Sequence, residues 1–173
     1  LSELPIAYAR IRKAASDLIA GQDAPPLALE PILATLGVEL RRIDVADDIS
    51  GILIRSAERN VVVVNAKHSE VRQRFTIAHE IAHLMLHEGE EVHVDSAFRV
   101  NLRDPRSGTA ENIEEVEANA FAANLLMPAE WIRKALVGTW IDVNDDSEVA
   151  RLADVFAVSP QAMLIRLTNL LRR

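Results

Sequence analysis

Two histidines four residues apart, His79 and His83, enclose Glu80 in the middle of an unbroken stretch from Arg74 to Leu86 that contains neither Pro nor Gly. Its apolar residues recur at helical spacing, which predicts a helix starting near Ser69 and buried along one side. Residues four apart share a helix face, so both imidazoles leave the helix on one side, one turn apart. The HExxH spacing offers two nitrogen ligands for zinc and places a carboxylate beside the first of them; the plain alternative is a pair of surface histidines.

A catalytic zinc usually takes three protein ligands and leaves a fourth position to water. His87 continues the four-residue spacing, but along one helix it lies about 12 Å from His79 at about 1.5 Å rise per residue. That is too far for all three to share one ion at about 2.0 Å. The longer HExxHxxGxxH pattern fails as well, because position 89 is Gly. His87 therefore reads as a helix C-terminal residue satisfied by the last carbonyls and the dipole, with Gly89 ending the helix.

A second helix is expected from Asn112 to Met127, with Asn112 as N-cap, Glu115 as its capping-box partner and Pro128 as the stop. On a helical wheel Ile113, Val116, Ala120, Phe121 and Leu125 form the buried arc. Glu117 falls near the middle of that arc, Glu114 at its edge, and Glu115 faces water. A carboxylate in an apolar face needs a positive partner. A metal shared with His79 and His83 is the expected one, the alternative being a distant arginine such as Arg74 or Arg99.

The blocks RFTIAHEIAHLMLH at 74–87 and EANAFAANLLMP at 117–128 resemble the ImmA/IrrE family of metallopeptidases, and the likeness runs more loosely through LGVEL and SGILI in 36–54. The resemblance implies a zincin-like protease with a HExxH helix and a later Glu on a second helix, acting on a transcriptional repressor. Chemistry then assigns roles. His79, His83 and Glu117 hold the ion, zinc or alternatively manganese, while Glu80 is the general base that takes the proton of the attacking water. Asn119 and Asn124 are candidates for orienting the imidazoles, each with a solvent-facing or capping role as alternative. The oxyanion stabiliser stays unassigned among Tyr8, His93 and Arg99.

Composition sets the outer bounds. The 173 residues are 49% hydrophobic and 26% charged, enough for one sizeable core. Cysteine is absent, which excludes disulfides and thiolate ligands and is compatible with a cytoplasmic setting. No apolar run approaches a membrane span or a signal-peptide core. The net charge of −7 argues against a general nucleic-acid surface. Oligomeric state is not legible.

Along the chain, helices are expected at Pro5–Ala20 and Glu30–Leu36, followed by strands at Val38–Ile43, Gly51–Arg55 and Val61–Asn65, the last two joined as a hairpin. If Val61–Asn65 is an edge on the cleft side, it offers backbone groups to an extended peptide; its unalternating valines fit an interior strand equally. Residues 88–111 read as a long loop with a short strand at Ala97–Leu102. Beyond Pro128 the chain is helical at Ala129–Val137, Ser147–Phe156 and Pro160–Leu171. The last two resemble a helix-turn-helix pair, yet the second begins Gln161-Ala162-Met163-Leu164-Ile165, which has few donors for base edges, so direct DNA contact is not expected. The reading is an α+β, zincin-like core over 1–128 with at least three strands, and a helical extension over 129–173 packed on it. Its function is that of a metalloendopeptidase acting on a protein, a cognate repressor. The alternatives are a non-catalytic metal-binding regulator, or a DNA-binding or toxin–antitoxin component.

Overall fold

The computed structural model describes residues 6–89, 91–96, 110–138, 141–143 and 145–171. In order these form α1 (Tyr8–Leu18), α2 (Glu30–Thr35), β1 (Val38–Ile43), β2 (Ile49–Ile54), β3 (Asn60–Asn65), α3 (Glu70–Leu86), β4 (Val92–Ser96), α4 (Ala110–Leu126), α5 (Ala129–Ala135), α6 (Asp146–Phe156) and α7 (Pro160–Leu171). The α+β class is as expected, with four strands in the order β1-β3-β2-β4. The expected strand at Ala97–Leu102 lies outside the described residues, and the observed β4 precedes it.

β3 pairs with β1 in parallel and with β2 antiparallel, so the valines at 61–64 occupy an interior strand, not the cleft edge. Their lack of alternation has this cause: a strand covered on both faces needs apolar side chains on both. β2 continues antiparallel to β4, which sets Gly51 between Val64 and Asp95, and Leu53 between Val62 and His93. The β2–β3 hairpin appears as the polar turn around Asn60 predicts.

α3 lies between this sheet and α4. It is not buried along one side only: Thr76 through His83 are all buried, eight consecutive residues. A helix hidden all round can keep polar groups only if each finds a partner or a ligand. Gly37, at φ 64°, lets α2 turn into β1 without steric cost. α3 ends at Leu86, where His87 turns extended (φ −119°, ψ 135°).

α4 buries Ala118, Phe121, Ala122, Leu125 and Leu126. Phe121, fully buried, contributes about 2–3 kcal/mol by burial. The backbone helix begins at Ala110, two residues before the expected cap. One continuous core joins α3 and α4 to Phe156, Met163 and Leu167 of the last two helices. Buried hydrogen bonds tie those helices down. Arg166 donates to the Met127 carbonyl (3.0 Å) and to Asn124 (2.9 Å), and Arg74 donates to the carbonyls of Leu27 (2.8 Å) and Ala157 (3.3 Å). Asp145 caps α6 by accepting from Ser147 and Glu148, and Ser159 accepts from Ala162 to cap α7.

Candidate metal centre

His79 and His83 project from the buried middle of α3, and their Nε2 atoms lie 3.0 Å apart. Opposite them stands Glu115, from the first half of α4. Its Oε2 is 3.3 Å from His79 Nε2 and its Oε1 is 3.1 Å from His83 Nε2. Tetrahedral ligands at about 2.0–2.1 Å from zinc are separated by about 3.3 Å from one another, so three donors at these spacings fit a single ion.

The contacts at Nδ1 of each ring set which nitrogen can face an ion. His79 Nδ1 lies 3.2 Å from Asn119 Oδ1. An amide oxygen only accepts, so the proton sits on Nδ1 and Nε2 is a donor to metal. His83 Nδ1 lies 3.1 Å from His87 Nδ1, and His87 Nε2 lies 3.2 Å from Glu117 Oε2.

Glu115, not Glu117, therefore meets the imidazole pair. The phase of α4 explains the departure from expectation. Large residues, Ile113 and Val116, were given the buried arc, yet both are only half-buried. The side of α4 that carries Glu115 and Asn119 faces the HExxH helix, since both reach His79, and the fully buried Ala118 and Ala122 continue that stripe at helical spacing. Glu115 heads that stripe, while Glu117 is turned by roughly 200° at 100° per residue. Arg74, one of the two alternative partners, donates to Leu27 and Ala157 instead; Arg99, the other, lies outside the described residues. His87 is likewise not held by the last carbonyls; its ring bridges His83 and Glu117.

Glu80 is fully buried, and neither carboxylate oxygen finds a hydrogen-bond partner among the described residues. Burial pushes its carboxyl up to about 8, with the Asp95 and Glu115 charges adding to the rise and His79 opposing it. Such an orphan is expensive unless a cation and a water are nearby to use it. Burial, the largest influence on His83, takes it down to about 4 despite the Glu115 bond. At His79 burial acts downward too, but the Glu115 bond and the charges of Glu80, Glu115 and Asp95 together raise it. The two rings share one carboxylate, and the direction to rely on is that of Glu115, which both imidazoles hold far below the ordinary carboxylate range despite its partial burial.

Three groups around the centre were not singled out from the sequence as part of it. Asp95 on β4 is buried with Oδ2 unpartnered among the described residues, and burial raises it. Arg55 donates to the His83 carbonyl at 2.8 Å and fills the space left by the missing side chain of Gly89. Glu115 is the third. Of the oxyanion candidates, His93 stacks 4.2 Å from the His83 ring, 3.8 Å from Glu115. Tyr8 is exposed on α1. Asn124 bonds Ala120 and Arg166, away from the imidazoles. A second cluster, His83, His87 and Glu114, brings donor atoms within 4.8 Å of one another and shares His83 with the first.

A structural zinc site closes its four positions with protein ligands and has no use for an orphaned acid beside the first histidine; the centre thus has the form found in HExxH metallopeptidases. Comparison with known proteins agrees. The family model of Peptidase M78, the IrrE N-terminal-like domain, matches residues 33–168, and the chain belongs to that family. It is 38% identical over 103 residues to the radiation response metalloprotease IrrE of Deinococcus deserti, covering 59% of this chain and 34% of that protein. To the protein of the same name from Deinococcus radiodurans it is 33% identical over 103 residues, covering 59% and 30%. The chain thus spans about a third of the length of these relatives.

Proposed function

We propose that this chain is a zinc-dependent endopeptidase that cuts a protein substrate, a cognate transcriptional repressor in the cytoplasm, with His79, His83 and Glu115 as ligands and Glu80 as general base. The supporting observation is the buried Glu80 carboxylate, without a hydrogen-bond partner among the described residues, beside a cluster of three ligand atoms that converge. Zinc, when bound, supplies Lewis acidity toward the scissile carbonyl and makes water more acidic. Manganese suits the same two imidazoles and one carboxylate.

Glu80 takes the proton of the attacking water and returns it to the leaving amine. Asn119 holds the His79 ring in the tautomer that coordinates. Low dielectric around the site strengthens these interactions, since His79 and Glu80 are sealed from solvent, while Glu115 and His93, 40% and 31% exposed at their side chains, border the open side. The membrane plays no part in this reading; among the described residues no helix is long and apolar enough to cross one.

The test is incubation of the chain and of Glu80→Gln, each with zinc or manganese, with the repressor encoded beside it. A cleavage product that needs both metal and Glu80 is expected. A product of equal yield from Glu80→Gln, or one that persists in chelator, would contradict the assignment.

A further inference from the structure

Glu117 and His87 are left over once the three donors and the base are assigned, and both are largely enclosed: their side chains are 20% and 5% exposed. Glu117 is fixed from two sides, with Oε1 accepting from the backbone N–H of Ala7 at 3.5 Å and Oε2 facing His87 Nε2 at 3.2 Å. A carboxylate oxygen accepts, so His87 carries its proton on Nε2. In the neutral ring His87 Nδ1 is then bare and accepts from the ring 3.1 Å away, which places a proton on His83 Nδ1 and the lone pair on His83 Nε2. That lone pair points at His79 Nε2 and Glu115. Each step of the direction follows from the acceptor-only character of the acid at the far end.

We propose that Glu117 and His87 form a positioning relay that fixes the tautomer and orientation of His83 and makes its Nε2 a stronger ligand for the divalent ion. The inference rests on the metal reading above and assigns roles to two residues that reading leaves unused. The two imidazoles are supported unequally: His79 leans on a neutral amide, His83 on an anion passed through a second ring. The local sequence builds this from two short spacings. His87 continues the four-residue step just as α3 ends, and its extended backbone swings the ring out of line to meet Glu117. Glu117 follows Glu115 by two residues, so one helix supplies both the ligand and the end of the relay.

The relay is tested in the full-length chain with Glu117→Leu, Glu117→Gln and His87→Phe. Zinc dissociation constants come from chelator competition, and imidazole tautomers from long-range ¹H–¹⁵N correlation with and without zinc. Wild type should show His87 protonated on Nε2 and bare on Nδ1. Glu117→Leu and His87→Phe should each weaken zinc binding about 10–100-fold, whereas Glu117→Gln, whose amide oxygen still accepts, should stay within a few-fold of wild type. A proton on His87 Nδ1 in wild type would overturn the relay. So would zinc affinities within twofold of wild type in whichever of Glu117→Leu and His87→Phe remains folded. Glu115→Ala separates the two readings. If it abolishes zinc binding and the relay variants do not weaken it, the relay alone fails. If wild type takes no zinc, or Glu115→Ala binds it equally well, the metal reading fails, and the tautomer of His87 still decides the hydrogen-bond chain.

Discussion

Replacing Gly51 by alanine should damage the centre from the sheet side. Gly51 sits in β2 directly over α3, and a Cβ there would lie 2.5 Å from Thr76 Cγ2 and 2.7 Å from Glu80 Oε1. Non-bonded carbons prefer about 3.5–4.0 Å, so the first contact alone is about 1 Å too short. Neither neighbour has space to swing away, Thr76 being 1% and Glu80 0% exposed. Overpacking of this kind costs about 1–3 kcal/mol, and the reduced freedom of the unfolded chain returns about 0.4–1 kcal/mol, leaving a net loss of about 1–2 kcal/mol. The displaced carboxylate is the larger consequence: a misplacement of about 1 Å near the reacting atoms lowers rate on the order of 100-fold. Urea unfolding of the metal-free protein and cleavage rate measure the two effects separately. Adding Thr76→Ser, which removes Cγ2, should restore much of the stability and little of the activity. A Gly51→Ala protein within about 0.5 kcal/mol of wild type and equally active would refute the close approach of β2 to Glu80.

Two further outcomes follow from burial. In the metal-free protein Glu80 is raised from 4.5 to about 8. Below pH 4.5 it is neutral in both folded and unfolded chains, whereas between 4.5 and about 8 the unfolded chain releases a proton that the folded one retains. Stability is therefore lost as pH rises through that window, by up to roughly 5 kcal/mol at about 1.4 kcal/mol per unit. Glu80→Gln removes this loss, so its stability advantage in urea titrations should grow from pH 4.5 to 8 and then level off; a constant difference would contradict it. Phe121→Ala, in the buried core of α4, should cost about 3–5 kcal/mol and lower the melting temperature of the metal-free protein by about 10 °C.

Much of this architecture is legible in the sequence because the strongest signals are local. Gly37 and Pro31 bound α2, Ser159 and Pro160 open α7, and the unalternating valines mark a strand covered on both faces. The spacing of His79, Glu80 and His83 is local to one helix, and all three lie in its buried middle. What failed to show was relational. Strand order depends on the parallel pairing of β1 with β3, which no local pattern encodes, and β4 lies in a stretch read as loop. The phase of α4 is hard to read because a wheel weights size: Ile113 and Val116 draw the arc toward Glu117, yet both are only half-buried, whereas the small Ala118 and Ala122 are fully buried. Reading the alanine stripe backwards by three and seven residues leads to Glu115. For His87, the rise along one straight helix does not apply past Leu86, where α3 ends and the extended backbone sends the ring toward Glu117.

The central claim is that one divalent ion is held jointly by α3 and α4 through His79, His83 and Glu115. A crystal of the zinc-loaded chain, with anomalous scattering recorded on both sides of the zinc absorption edge, tests it directly. A single peak bonded at about 2.0–2.1 Å to both Nε2 atoms and to a Glu115 oxygen, with Glu80 beside it, is the predicted result. A peak bonded to Glu117 in place of Glu115, or lying between His83, His87 and Glu114, would contradict it.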